Sequence, residues 1–132
     1  FSFVIGDNKI SGRFDRIDME HNGGVIMDFK TSEVKTQKDA DKRAKENKQL
    51  ALYGVAYQNI FGVLPIAVEL YFLESGIIGR HELSEDDLED VQEDILKVSA
   101  GIRLQDYPAK PEYKACTYCA YNQICPYAVI QR

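Results

Sequence analysis

The chain has 132 residues, of which 45% are hydrophobic and 28% are charged, and its formal net charge at pH 7 is −5. Those values are typical of one globular domain and exclude a low-complexity or disordered chain. No apolar run approaches the roughly 20 residues that a membrane-spanning helix needs, so we expect no contact with a membrane.

The first half of the chain predicts three strands followed by a long helix. Residues 1–6 alternate weakly between apolar and polar, and further strands are predicted over residues 9–20 and 25–31. The turn at residues 21–24 would join the last two, giving an antiparallel three-stranded meander. From about Asp39 the apolar residues adopt helical spacing, and this helix is predicted to run to about residue 61, before Gly62.

The second half predicts two strands, a second helix and a cysteine-rich tail. Residues 66–73 form an apolar strand suited to the middle of a sheet, and residues 77–83 form an edge strand. Ser84 and Asp87 resemble a capping box, and the helix that they open carries one apolar stripe: Leu88, Val91, Ile95, Val98 and Ile102. The element order therefore predicts an α/β fold in which helices flank a mixed central sheet.

The charges are unevenly distributed along the chain. Residues 82–94 contain eight carboxylates and no Lys or Arg, whereas residues 35–48 contain six basic side chains against three acidic ones. One face can therefore be locally positive although the net charge is negative, which leaves a nucleic-acid partner open. The alternative is that both runs are ordinary solvated helix surface.

An apolar strand rarely carries a carboxylate and an ammonium, yet Asp28 and Lys30 stand in Val-Ile-Met-Asp-Phe-Lys-Thr. Side chains two residues apart point to the same face of a strand. Across the turn, Asp15 would pair with residue 29 or 30 and so come close to Asp28. Two adjacent carboxylates favour a hard divalent cation such as Mg²⁺ between them. The alternative is a surface ion pair of little consequence.

Three motifs in order resemble the RecB-like branch of the PD-(D/E)XK nuclease superfamily. They are Gly-Arg-Phe-Asp-Arg-Ile-Asp at 12–18, the Asp28 strand, and Gln-Leu-Ala-Leu-Tyr at 49–53. The resemblance covers nearly the whole chain. The resemblance implies a restriction-endonuclease-like core that hydrolyses DNA with Mg²⁺ or Mn²⁺. It assigns Asp15, Asp28 and the Phe29 carbonyl as metal ligands and Lys30 as the catalytic lysine. Arg16 and Asp18 are interpreted as a supporting ion pair.

The third motif places Gln49 and Tyr53 on one helix face, because residues four apart are neighbours on a helix. The resemblance makes both part of the site: Gln49 would contact Lys30 or a phosphate, and Tyr53 a phosphate or a base. Without the resemblance, both would be interpreted as the rim of a core. Positive charge for the DNA backbone is assigned to Lys42, Arg43, Lys45 and Lys48.

All three cysteines lie in the tail, as Cys116-x2-Cys119-x5-Cys125. Their clustering indicates zinc or an iron–sulfur cluster more than a disulfide plan, and reduced thiols favour a cytoplasmic protein. AddB-type and CRISPR-adaptation nucleases are similar here: the resemblance implies a 4Fe–4S cluster whose fourth cysteine lies upstream. It also implies an upstream metal ligand, and His21 and His81 are expected to be bystanders. The alternative is three reduced cysteines in a loop.

The chain starts at Phe1 within a predicted strand, so we expect a fragment of a longer protein. Residues 1–107 would form the nuclease core, and residues 108–132 a tail packed on the same domain.

We predict a magnesium-dependent deoxyribonuclease, an exonuclease more than an endonuclease, that acts as a module of a helicase–nuclease in DNA repair or recombination. Its partners would be DNA and a helicase domain or subunit, and the fragment alone is expected to bind metal weakly or be inactive. One alternative is a catalytically silent DNA-binding or scaffolding module with the same fold. A zinc-binding interaction module explains only the tail.

Overall fold

The computed structural model describes residues 1–129, and this part of the chain contains six strands and four helices. In chain order they are β1 (Ser2–Ile5), β2 (Asn8–Ser11), β3 (Arg16–Glu20), β4 (Gly23–Lys30), α1 (Gln37–Lys45), α2 (Lys48–Phe61), β5 (Ala67–Phe72), β6 (Ile77–His81), α3 (Glu85–Arg103) and α4 (Tyr113–Tyr118). The chain divides into two compact units, Phe1–Ser99 and Ala100–Arg132, and each is described by itself. No helix within residues 1–129 is long and apolar enough to cross a membrane.

The first unit contains a four-stranded mixed sheet in the order β3-β4-β5-β6, and β1 and β2 form a separate hairpin. Strands β4 and β5 are parallel, and the neighbours on either side are antiparallel. The predicted mixed sheet flanked by helices is confirmed, with β5 inside the sheet and β6 at its edge. The fold agrees with a restriction-endonuclease-like core.

The predicted three-stranded meander is wrong, because the strand expected over residues 9–20 is interrupted after Ser11. The Phe14 ring packs against Tyr53, with ring centroids 5.2 Å apart, and against Phe1 at 4.8 Å. Because Phe14 packs inward, residues 12–15 between β2 and β3 leave the hydrogen-bonded ladder of the predicted long strand. As a result, β2 stays with β1 and β3 starts the central sheet.

The single helix predicted over residues 39–61 is also wrong, because Asn47 separates α1 from α2. The Asn47 side-chain oxygen accepts a hydrogen bond from Leu50 N at 3.0 Å and caps α2. Asn favours such N-cap positions because its short side chain satisfies a free N–H of the first turn. The predicted end of the helix at Gly62 is confirmed: this glycine caps α2 with a left-handed φ of 75°.

Two hydrophobic clusters hold the first unit together. One lies between the sheet and helices α1 and α2 and includes the fully buried side chains of Ile26, Leu50 and Leu70. A Cβ on Gly79 would stand 2.1 Å from the carbonyl oxygen of Ala40, so glycine allows α1 to lie directly on β6. The other cluster joins α2 and α3 to the β1–β2 hairpin through a largely separate set: Ile5, Val55, Leu88 and Val91, with Phe3, Ile10 and Ile95 packed against it.

Helix α3 starts with the predicted capping box. Both the N–H and the hydroxyl of Ser84 donate to Asp87 Oδ2 at 2.8 Å, and Asp87 N donates back to Ser84 Oγ at 3.3 Å. His81 Nε2 lies 3.1 Å from the same carboxylate, so His81 supports the helix start as a structural residue. The apolar stripe is buried only near the start of the helix: Val98 is 60% exposed and Ile102 55%.

Partial burial raises the pKa of Asp87, but the hydrogen bonds from Ser84 and the contact with His81 outweigh it and lower that pKa below its ordinary value. A lowered carboxylate pKa contributes stability above the unfolded-state pKa, and this contribution is lost as the pH falls through the folded-state value. We therefore expect Asp87→Asn to reduce the free energy of unfolding at neutral pH by about 1 kcal/mol.

Urea unfolding at neutral pH and again near the acid limit of folding measures this effect. The difference between wild type and Asp87→Asn should shrink as the pH drops. Asp86→Asn, which removes an exposed carboxylate of the same helix turn, is the matched control. An equal loss from both variants, or a loss that does not depend on pH, would contradict the assigned role of Asp87.

Candidate active site

Asp28 is the one buried charged side chain among residues 1–129, with 2% of its surface exposed. It lies near the end of β4, in register with Leu70 of β5. Burying a carboxylate is costly unless positive or hydrogen-bonding groups compensate it. The surroundings of Asp28 therefore show what the fold provides for this charge.

Two side chains compensate Asp28. Gln49 Nε2 donates to Oδ1 at 3.0 Å, and Lys30 Nζ lies 2.6 Å from Oδ2. The ammonium is close but is not aligned for a hydrogen bond, and Oδ2 receives none from any group in residues 1–129. One buried carboxylate oxygen thus keeps its capacity for a further positive partner.

Gln49 connects the site residues, and its amide orientation is fixed by them. Its Oε1 accepts from Lys30 Nζ at 3.0 Å, while Nε2 donates to Asp28 and also to the Tyr53 hydroxyl at 2.8 Å. The reversed amide would place NH₂ against an ammonium and a carbonyl against a carboxylate, so only one orientation satisfies all partners. The predicted contact between Gln49 and Lys30 is confirmed.

Asp15 reaches the same strand end from the segment before β3. Its Oδ2 accepts a hydrogen bond from Phe29 N at 3.2 Å, which joins it to the peptide unit that follows Asp28. Arg16 pairs with Met27 at the end of the β3–β4 ladder, and Asp15 follows directly beside Asp28 and Phe29, which agrees with the predicted pairing near residue 29 or 30. The turn is tighter than predicted, since Gly23 and Gly24 already belong to β4.

Within residues 1–129 no group of three or more His, Cys, Asp or Glu side chains is placed to hold a metal ion. Asp15 and Asp28 are two carboxylates, and the expected third ligand, the Phe29 carbonyl, belongs to the backbone. Asp28 Oδ2, which has Lys30 beside it but no aligned hydrogen-bond donor, fits a cation ligand, because a hard divalent ion prefers such oxygen donors.

Tyr53 is buried beside Gln49, and its predicted contact with a phosphate or a base stays a prediction. It is 6% exposed, and its hydroxyl donates to the Arg13 carbonyl at 3.0 Å while accepting from Gln49. Both hydrogen-bonding functions are therefore used inside the protein. Sequence reasoning missed the Arg13 main chain as part of the site, because no side-chain spacing signals a backbone acceptor 40 residues away.

Three of the four predicted DNA-binding residues, Lys42, Arg43 and Lys48, have side-chain partners within the first unit. Lys42 lies 3.9 Å from Glu46, and the Arg43 guanidinium lies over the Phe72 ring, 5.7 Å from its centroid. Phe72 pairs with Lys30 in the sheet register, so the Arg43 guanidinium lies over a residue adjacent to the site. Arg16 and Asp18 form the predicted ion pair at 2.8 Å, and Asp18 raises the pKa of Arg16 above its ordinary value by hydrogen bond and charge.

Lys48 forms an ion pair with Asp94 of α3. The hydrogen bond from Lys48 lowers the pKa of Asp94, although partial desolvation opposes it. Lys45 and Lys48 line a groove of about 550 Å³ together with acidic side chains: Glu46, Asp87, Asp90, Glu93 and Asp94. The positive charge of residues 35–48 is thus partly neutralised by the acidic side chains of α3, and the surface is less positive than predicted from sequence.

The second unit contains the three cysteines, all of them free. Cys116, Cys119 and Cys125 line one cavity of about 170 Å³. They are not gathered closely enough to form a ligand set among residues 1–129.

Comparison with known proteins gives one match. The family model described as the PD-(D/E)XK nuclease superfamily matches residues 1–126. No curated protein matches the chain, and no solved structure does.

Proposed function

The chain belongs to the PD-(D/E)XK nuclease superfamily, and from this premise we propose that it is a metal-dependent nuclease that hydrolyses DNA phosphodiester bonds. The observation that carries the proposal is the buried Asp28 carboxylate, whose Oδ2 has no aligned donor although Lys30 and Gln49 are adjacent. A fold that only needed a stable strand here would gain by an apolar residue. Retaining the charge favours a catalytic role.

The proposed metal ligands are Asp15, Asp28 and the Phe29 carbonyl. A bound Mg²⁺ or Mn²⁺ would activate water and stabilise negative charge on the phosphate. The N–H of Phe29 holds Asp15 beside the strand that carries Asp28. A divalent cation at Oδ2 would compete with the ammonium of Lys30, which is 29% exposed.

Lys30 would then orient the attacking water or neutralise charge that develops on the phosphate. Gln49 limits where the ammonium can move, because its Oε1 accepts from Lys30 Nζ while its Nε2 stays on Asp28. Tyr53 holds Gln49 in turn. The chain therefore offers two carboxylates for the cation and a tethered lysine for the phosphate.

The experiment is cleavage of end-labelled single- and double-stranded DNA by the purified protein at full length. We expect cleavage with Mg²⁺ or Mn²⁺, its loss when EDTA is added, and its recovery when the metal is restored. Binding of DNA without cleavage under every metal condition would overturn the nuclease proposal and support the alternative, a catalytically silent DNA-binding or scaffolding module.

Further proposals rest on the resemblance to RecB-like nucleases. We propose exonuclease more than endonuclease action, and a place as a module of a cytoplasmic helicase–nuclease in DNA repair or recombination. Fragment length and strand polarity in the cleavage assay test the first, and co-purification with a helicase subunit tests the second.

A 4Fe–4S cluster is proposed for the intact protein, as the resemblance to AddB-type nucleases implies. The three cysteines line one cavity, which supports the proposal, but among residues 1–129 they do not form a ligand set, and a cluster is usually held by four thiolates. Visible absorbance and iron content of anaerobically purified protein test it. Catalysis at Asp28 is proposed independently of such a cluster.

A further inference from the structure

The segment between β2 and β3 is fixed to the protein at several points. The Gly12 carbonyl accepts from the Phe1 amino group at 2.8 Å, and Gly12 N donates to the Phe1 carbonyl at 3.1 Å. Arg13 accepts through its carbonyl from Tyr53, and the Phe14 ring packs on the Tyr53 ring. Asp15 accepts from Phe29 N. A segment without regular secondary structure is thus held rigidly beside the candidate site.

The Arg13 side chain makes none of these contacts. It is exposed, and no ion pair, hydrogen bond or ring contact to its guanidinium occurs among residues 1–129. Other arginines are differently placed: Arg16 is paired with Asp18, Arg80 is paired with Glu69, and Arg43 lies over Phe72. The guanidinium of Arg13 therefore contributes nothing visible to the fold.

The position of Arg13 connects this unused charge to the site. Its carbonyl accepts a hydrogen bond from the Tyr53 hydroxyl, and that hydroxyl accepts one from Gln49 Nε2. Gln49 in turn contacts both Asp28 and Lys30. Arg13 also lies two residues before Asp15, and these two exposed residues flank the partly buried Phe14. The backbone of Arg13 is fixed beside the candidate site, and its guanidinium, which the described fold does not use, is available to a substrate.

We propose that Arg13 binds a DNA phosphate next to the one that is cleaved and thereby positions the strand in the active site. The proposal rests on the proposed nuclease function and adds a substrate contact to it. A guanidinium suits this role because its planar donors can bind two phosphate oxygens at once and it stays charged at every relevant pH. The partial neutralisation of Lys45 and Lys48 by α3 increases the need for such a contact.

The first test compares Arg13→Ala with wild type in DNA binding and in cleavage. We expect Arg13→Ala to weaken binding and to raise KM about ten- to a hundredfold while kcat changes little. The slope of log K against log salt should fall by about one, as for the loss of one phosphate contact. Arg13→Lys should recover part of the affinity, because it restores the charge without the bidentate geometry.

Lys9→Ala is the matched control, since Lys9 is an exposed cation of β2 in the same part of the chain. It removes one positive charge without touching the fixed segment and should leave KM and the salt slope near wild type. Equal effects of Lys9→Ala and Arg13→Ala would show general electrostatics only and would overturn the proposal. An unchanged KM and salt slope for Arg13→Ala would do so as well.

A second test uses oligonucleotides in which single phosphates are replaced by neutral methylphosphonates. Wild type should lose affinity at one position near the cleaved bond, and Arg13→Ala should show no further loss there. If both proteins respond alike at every position, Arg13 binds no phosphate. Binding is measured without turnover, so the test of Arg13 does not depend on cleavage. A chain that binds DNA but does not cleave it would refute the nuclease proposal and still test Arg13. A chain that does not bind DNA would refute both proposals.

Discussion

Asp28→Asn should abolish metal-dependent DNA cleavage, with a loss of at least about a hundredfold in the single-turnover rate. Asparagine has nearly the shape of aspartate and still offers an oxygen to Gln49. It removes, however, the negative charge that Oδ2 presents to Lys30 and to a cation. Because the side chain is 2% exposed, solvent cannot replace that charge. The loss should persist when the metal concentration is raised.

Retention of the fold distinguishes this result from unfolding. Asp28→Asn should give a wild-type circular dichroism spectrum and a cooperative thermal transition, because the charge left without its partner, the Lys30 ammonium, is 29% exposed and can be solvated. Asp86→Asn removes an exposed carboxylate from α3 and should cleave at the wild-type rate. Wild-type cleavage by Asp28→Asn would remove Asp28 from the active site.

Lys30→Met should lower the single-turnover rate about 10²- to 10³-fold at saturating metal, but for a different reason. The lysine is expected to act on water or phosphate, and it also lies 2.6 Å from the oxygen proposed to bind the cation. Removing a competing ammonium should therefore leave metal affinity unchanged or higher. Asp28→Asn and Lys30→Met should both suppress cleavage, yet only Asp28→Asn should weaken metal binding.

Single-turnover rates measured across a Mn²⁺ titration separate these effects. The rate of Lys30→Met should saturate at or below the wild-type metal concentration but at a far lower maximum. Lys9→Met, which shortens an exposed cation outside the site to the same extent, serves as the control. Recovery of the wild-type maximum at high metal would show that Lys30 acts only through metal binding.

Local patterns predicted the centre of the site because its geometry is mainly local. Asp28 and Lys30 share a face through the two-residue period of a strand, and Gln49 and Tyr53 share one through the four-residue spacing of a helix. The structure joins these two pairs through Gln49, as the motif resemblance implied. The central position of β5 and the edge position of β6 were also predicted, from the apolar run of the first and the shorter pattern of the second.

The remaining features depend on contacts between residues distant in sequence. The predicted meander failed because Phe14 packs on Tyr53, and no local propensity contains that contact. The hydrogen bond from Tyr53 to the Arg13 main chain was missed for the same reason, since the two residues lie 40 apart in sequence. Lys48 was predicted to face DNA, but its partner Asp94 lies 46 residues along the chain. The helix interruption at Asn47 had a local cause, yet capping competes with continued helix, and sequence alone does not decide between them.

The most direct test of the proposed centre is Mn²⁺ binding to the folded chain, measured by loss of the electron paramagnetic resonance signal of free Mn²⁺. Wild type and the exposed-carboxylate control Asp86→Asn should bind the ion with equal affinity. Asp28→Asn should bind it about ten- to a hundredfold more weakly. Equal Mn²⁺ affinity in wild type and Asp28→Asn would contradict the proposal that the buried carboxylate holds the cation that drives cleavage.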